Sequence, residues 1–303
     1  MGERIIQLAT NLDKLSPARL KKLFKRGFAS EKLDGVWMAA TCVDGNIEFL
    51  SSTLEKYISF KGTELEDTIK QLHIRGWTNF VLIGEVYKEG VEQQVISGIA
   101  RTEVEGHAGA MEFHVHDMLQ INDWVLGNTS TPYSMRLMQL ETLVGEEFRN
   151  ASLKLIPQHE ITSIEEFMAF SKAIKLQGGE GACYREEDAG WESGNRGTNL
   201  IRDKQKITVD LVVTGVKDVE EGDKGGLKGV ITCRWRAFGK LENPVVDIPI
   251  RGMSFDQLRA WDKDNSLIVG KVVEVEAMKY TNLGMLREPR FKFIREDKEQ
   301  GDV

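Results

Sequence analysis

Cysteine is scarce in this 303-residue chain. Cys42, Cys183 and Cys233 are far apart, odd in number and never in a Cys-x-x-Cys pair, which argues against both a disulfide framework and a zinc module. Reduced, buried thiols are the expectation. Long apolar runs are missing as well: none approaches the length that spans a bilayer, and residues 1–14 hold no secretory apolar core. A cytoplasmic protein with no membrane partner is expected. Positive charge is not in excess. The formal net charge of −7 argues against non-specific coating of nucleic acid, which gains affinity by releasing counterions from phosphates. A local basic face remains open, and Lys21, Lys22, Lys25 and Arg26 form such a cluster, although a charged helix face is also an ordinary solvated surface. There is neither a Gly-x-x-x-x-Gly-Lys-Ser/Thr loop nor a Gly-x-Gly-x-x-Gly, so any nucleotide must be held by another architecture. No internal repeat, low-complexity tract or long linker is visible.

What is present is a composition of 41% hydrophobic and 29% charged residues, and a length that allows two separate cores. The stretch Ser30-Glu31-Lys32-Leu33-Asp34-Gly35-Val36-Trp37 stands out. If Lys32 lies at the end of a strand, alternation puts Asp34 on its side with Leu33 toward the core. Burial and a nearby divalent cation would lower the lysine pKa and free its lone pair for attack on phosphorus. Gly35 lets the backbone bend or approach a ligand.

Ser16-Pro17 opens a short helix that runs toward Gly27. Strands follow over 37–43 and 47–51, joined at Asp44-Gly45-Asn46. Thr63-x-x-Glu66 and Ser163-x-x-Glu166 read as capping boxes, the first helix ending at Gly76 and the second at Gly178-Gly179. Leu137, Leu140 and Val144 mark a further amphipathic helix. Phe80 to Tyr87 is an apolar strand that carries Glu85, a carboxylate that needs a partner, either a structural salt bridge or a ligand. Met111 to Leu119 alternates Phe113 and Val115 against His114 and His116. That His-x-His admits a metal pair, or a flat ring against a base at His116.

Gly179-Glu180-Gly181 opens another strand, and the flanking glycines make Glu180 a metal-ligand candidate. Lys204 and Lys206 share one face of an extended segment, aimed at an anion or simply decorating an edge strand. From Ile207 the texture changes to strands over 209–219, 229–238, 245–250, 268–280 and 290–294, with one helix over 254–261. Five strands in that span predict a small Greek-key barrel of OB type, with the boundary near Lys206.

In order, Lys32-Leu33-Asp34-Gly35, Gly84-Glu85, Phe113-His114-Val115-His116-Asp117, Glu180-Gly181, Lys204-Gln205-Lys206 and Arg295-Glu296-Asp297-Lys298 resemble the motif set of the covalent nucleotidyltransferases, the ATP-dependent polynucleotide ligases and mRNA capping enzymes. The resemblance runs from Lys32 to the last residues. The stretch from Leu286 to Lys298 is similar to the DNA-ligase form of the last motif, and Ser97-Gly98-Ile99-Ala100-Arg101-Thr102 to a segment of the small T7-type phage ligases. It implies an α+β fold: a nucleotidyltransferase (adenylation) domain of antiparallel sheets with flanking helices over 1–206, then an all-β OB-fold domain over 207–303.

The resemblance further implies an ATP-dependent DNA ligase of minimal phage or viral type, monomeric and free of zinc, that seals 5′-phosphate/3′-hydroxyl nicks in duplex DNA. Lys32 would take AMP from ATP, pass it to the 5′-phosphate, and the 3′-hydroxyl would then displace it. Glu180, assisted by Asp34, would hold Mg²⁺; Lys204 and Lys206 would neutralise the α-phosphate. Glu85 would accept from a ribose hydroxyl, His116 would stack on adenine, and Ser30 and Glu31 would line the nucleotide site. Arg295, Asp297 and Lys298 would orient the pyrophosphate. Members of the family usually carry Arg at the positions of Trp37 and Ser52 and Asp at that of Ile83, and larger aliphatics than Ala182 and Cys183. Lys56 and Arg101 are then candidates for phosphate recognition. A capping guanylyltransferase or RNA ligase, and an inactive nucleic-acid-binding module, are the other readings.

Overall fold

The computed structural model describes residues 6–148, 152–221, 227–235, 245–250, 255–281 and 284–302. By its contacts the chain divides into two units, Met1–Lys204 and Gln205–Val303.

In the first unit β1 (Thr10–Asn11) and α1 (Pro17–Leu23) lead into β2 (Gly27–Glu31), β3 (Val36–Val43) and β4 (Asn46–Leu50). Then come α2 (Glu64–Ile74), β5 (Phe80–Tyr87), α3 (Gln93–Ala100), β6 (Glu112–Gln120) and α4 (Ile121–Leu126). The unit closes with β7 (Asn128–Thr129), α5 (Tyr133–Phe148), β8 (Leu153–Leu155), β9 (His159–Ile161), α6 (Ile164–Leu176), β10 (Gly181–Glu186), β11 (Trp191–Glu192) and β12 (Leu200–Lys204).

Two five-stranded sheets organise these elements, one in the order β1-β12-β10-β2-β9 and one in the order β4-β3-β5-β6-β8. Pairing is antiparallel except β1 with β12 and β6 with β8. One face of the second sheet buries Met38, Phe80, Leu82, Val86, Phe113 and Val115 with Leu65, Ile69 and Leu72 of α2 and Leu140 and Val144 of α5. On its other face Ala39, Val81, Ile83 and Leu119 pack with Trp191, Trp37 and Trp124. The first sheet covers α1 and α6 through Ala29, Ala182, Tyr184 and Phe167.

Asp44 and Gly45 both have positive φ, +48° and +82°, the two-residue hairpin turn that the Asp-Gly pair announces. Helix α1 stops at Leu23, earlier than the expected Gly27, because Phe24 leaves helical geometry and buries its ring against Phe167 and Tyr184. Ser163 and Glu166 form the expected box: the Ser163 hydroxyl accepts from Glu166 N, and the Glu166 carboxylate accepts from Thr162 N at 2.7 Å. Thr63 keeps only the carboxylate half: Glu66 accepts from Gly62 N as Glu166 does from Thr162 N, but the Thr63 hydroxyl donates to Phe60 O at 2.7 Å instead of capping the helix.

The second unit holds β13 (Ile207–Glu221), β14 (Leu227–Arg234), β15 (Val245–Ile250), α7 (Phe255–Lys263), β16 (Val272–Ala277) and β17 (Arg290–Ile294). The sheet order is β15-β14-β13-β16-β17, with long β13 shared between two pairings, and the outer strands β15 and β17 lie in contact. The sheet therefore curls on itself around Leu211, Ile231, Ile248, Val273 and Trp261 like an OB barrel. The expected reach of one strand to Phe238 and the helix start at Ser254 lie outside the described residues.

Candidate active site

Strand β2 belongs to one sheet of the first unit and β3 to the other, so Lys32-Leu33-Asp34-Gly35 is the crossover between them. Strand geometry ends at Glu31, so Lys32 and Asp34 lie in this connection rather than along a strand, and both place their charges near Glu85. Gly35 is required where β3 begins: a Cβ there would lie 2.1 Å from the Val86 carbonyl oxygen. The close approach is to β5.

Lys32 N donates to Gly181 O at 2.9 Å, which continues the β2–β10 ladder by one bond. Its Nζ lies 2.6 Å from Glu180 Oε2. Lys204, whose register partner is Gly181, brings its own Nζ to 3.1 Å from Glu180 Oε1. Glycine is required at 181, where φ is +139° and a Cβ would lie 1.9 Å from Asp203 O. One buried carboxylate thus stands between two ammoniums.

Burial pushes the Lys32 pKa down, but the carboxylates of Glu180 and Glu85 outweigh it and the net direction is up. The lowering by burial expected from the sequence is present, and the Glu180 ion pair, which the sequence does not show, outweighs it. Lys204 moves the other way, because burial and the Lys32 and Arg202 charges outweigh its share of Glu180.

Glu85, on β5, faces Trp37 on one side and His114 on the other. Burial lifts its carboxyl to about 8; Lys32 pulls it down, while Glu180 and Asp34 add to the rise. The carboxyl therefore holds its proton to higher pH than an ordinary glutamate. Ser30 is buried opposite Cys183. Glu31 is exposed and alternates away from Ser30, to the face that Ala29 buries against α6. The two rings of the His-x-His pair serve different partners: His114 Nε2 lies 2.9 Å from Glu112 Oε2, and His116 Nδ1 lies 3.2 Å from Arg185 Nη2.

Lys206, expected beside Lys204, lies in the second unit, where its ammonium is 3.2 Å from Glu276 Oε2. The residue two positions from Lys204 on the same strand face is Arg202, whose Nε donates to Asn11 Oδ1 at 2.7 Å. Period-two alternation applied toward the N-terminus would have found it. In the second unit Arg295 donates to both oxygens of Asp297, at 2.9 and 2.8 Å, and to Asp210 Oδ2 at 2.8 Å; Lys298 bonds the same Asp210 oxygen. The Arg295 guanidinium holds the Asp297 carboxyl down to about 2.

Trp37 stacks on Trp124, with centroids 6.5 Å apart and planes at 13°, and Trp124 meets Trp191 at 5.7 Å. The Ser51 hydroxyl accepts from the amides of Thr53 and Glu55. Lys56 bonds Glu48, and Arg101 donates to Ser97 Oγ at 2.7 Å.

A family model described as "ATP dependent DNA ligase domain" matches residues 7–204. Among solved structures, one named Pmar-Lig_PreS3 is similar at a TM-score of 0.74 and 20% identity, covering 90% of this chain and 64% of its own length. This chain thus spans less than two thirds of that protein. A structure from an analysis of DNA binding by Lig E DNA ligases gives 0.69 at 19% identity, covering 96% and 98%. The ATP-dependent DNA ligase of bacteriophage T7, in complex with ATP, gives 0.56 at 15%, covering 94% and 98%. No curated protein matches. At these identities the structures share the fold.

Proposed function

The chain belongs to the ATP dependent DNA ligase domain family, and from that premise we propose that it is an ATP-dependent DNA ligase sealing 5′-phosphate/3′-hydroxyl nicks in duplex DNA. The observation that carries this reading is Lys32 Nζ, 2.6 Å from Glu180 and beside Lys204, at the crossover of two sheets. A nucleophilic amine, a carboxylate and a second cation at one point suit an in-line displacement at phosphorus.

In the first step the Lys32 ammonium gives up its proton to solvent, and the neutral amine attacks the α-phosphorus of ATP, forming the N–P bond as the bond to pyrophosphate breaks. Lys204, with Arg202 on the same strand face, neutralises the α-phosphate oxygens. Glu85 accepts from a ribose hydroxyl, His116 takes the adenine, and Ser30 contacts its edge. Arg295, Asp297 and Lys298 orient the pyrophosphate in that step. The AMP then passes to the nick 5′-phosphate, and the 3′-hydroxyl displaces it.

Glu180 and Asp34 are carboxylates of the hard-donor type that a magnesium ion takes alongside its own waters, and among the described residues they belong to no ready-made cluster of three metal-binding side chains. Mg²⁺ held by Glu180 and Asp34 would supply charge neutralisation to the phosphates.

Incubation with α-labelled ATP or GTP tests the reading. Acid-labile label from ATP and sealing of nicked DNA are the expected results. Label from GTP would point to a capping enzyme, sealing of nicked RNA alone to an RNA ligase, and no label from either nucleotide to a binding module.

A further inference from the structure

Pairing between β5 and β6 slips at Ile83/Gly84: Ile83 faces Asp117, Gly84 faces Val115, and His116 is the extra residue without a register partner. A bulge re-aims its side chain out of the alternation that the sequence suggests. The His116 carbonyl accepts from the Tyr133 hydroxyl at 2.9 Å. Its Nδ1 faces Arg185 Nη2 at 3.2 Å, and the Arg185 guanidinium carbon lies 5.0 Å from the centre of the Tyr133 ring.

Arginine has donors only, so Nδ1 must accept, and a neutral ring then carries its hydrogen on Nε2. Arg185, Cys183 and Gly181 share one face of β10. Four residues of strand separate Arg185 from Gly181 by about 13 Å. The Gly181 carbonyl holds the Lys32 amide. An adenylate group can bridge that interval, with its base at His116 and its phosphate at Lys32.

We propose that Arg185 is a positioning residue for the nucleotide: its bond to Nδ1 fixes the His116 ring in one orientation and one neutral tautomer, with Nε2–H as the ring's single donor toward the base. This rests on the reading above, in which His116 meets adenine. The charged and titratable groups around the ring are Arg185 from β10, Tyr133 from α5, and the neighbouring Asp117. The Asp117 carboxylate is occupied by Arg136 of α5, at 2.9 and 3.1 Å. Burial and the Arg185 charge outweigh Asp117 and hold the imidazole down to about 3.

The test is long-range proton–nitrogen NMR of the full chain labelled at histidine, without nucleotide, with the His116 signal assigned by its loss in His116→Phe. The expected wild-type signal is the Nε2–H tautomer, unchanged from pH 8 to pH 5. A ring protonated on Nδ1, or one that titrates in the ordinary histidine range near 6.5, overturns the proposal. In Arg185→Met, with that charge gone and burial left as the main depressing cause, the inflection is expected to rise above the wild-type value, and the KM for ATP in label transfer to rise several-fold on acidification through it. Arg185→Lys keeps a charged donor and restores the flat profile, as does His116→Phe placed in the Met background. A pH-independent KM in Arg185→Met overturns the nucleotide role. Failure of the wild type to take label from ATP would remove the ligase reading, while the wild-type NMR spectrum still decides whether Arg185 sets the tautomer.

Discussion

Glu180 Oε2 lies 2.6 Å from Lys32 Nζ, so the amine assigned to attack phosphorus is held as an ammonium by the carboxylate beside it. Only the neutral amine is a nucleophile, and its fraction grows as pH rises toward a folded pKa that sits above the usual lysine value. Glu180→Gln removes the strongest of the charges that raise it. The pH dependence of Lys32 acylation in metal-free protein, followed by peptide mass spectrometry, is expected to shift to lower pH in that variant. An inflection at the same pH in both proteins would contradict the ion pair's control of the amine.

Glu85 carries a folded pKa of about 8. An unfolded glutamate ionises near 4.3, so between these values the native state binds more protons than the unfolded state and stability falls as pH rises. The contribution is complete below the unfolded value and lost on passing about 8. Denaturant unfolding of the wild type and Glu85→Gln at pH 5 and pH 8 is expected to show the wild type losing on the order of a few kcal/mol more than the variant. Parallel losses would show that the carboxyl is ionised in the folded protein.

The bidentate pair of Asp117 with Arg136 is almost wholly buried, and Arg136 also donates to Ala189 O at 2.9 Å. Arg136→Leu leaves an uncompensated buried carboxylate, expected to cost about 3–5 kcal/mol in urea unfolding. Adding Asp117→Leu should recover part of it. A loss below about 1 kcal/mol in the single variant would mean that the carboxylate finds water or another partner.

Arg295→Ala is expected to reduce label transfer from ATP by at least tenfold more than it reduces sealing of DNA that is already adenylated. The side chain is assigned to the pyrophosphate, which only the first step releases. Equal losses in the two assays would count against that assignment.

Much of the fold was legible because the strands announce themselves. Phe80–Tyr87, Val245–Ile250 and Arg290–Ile294 have the bounds that apolar patterning and turn residues mark. The OB texture of the second unit was visible in five closely spaced strands. The site was legible only as a set of residue types. That Lys32 to Gly35 bridges two sheets depends on long-range pairing, which a local pattern does not contain. The same holds for the Glu180 ion pair, which outweighs the expected effect of burial on Lys32, and for the bulge at His116, which needs the register of β5 against β6. Arg202 was within reach of period-two reasoning, but a pair of lysines drew that reasoning toward Lys206 and across the boundary between units.

The most direct test is to incubate the protein with ATP and Mg²⁺ and map any adduct by mass spectrometry of its peptides. One AMP on the peptide containing Lys32, absent in Lys32→Ala, is the predicted result. AMP on a different residue, or its persistence in Lys32→Ala, would contradict the account.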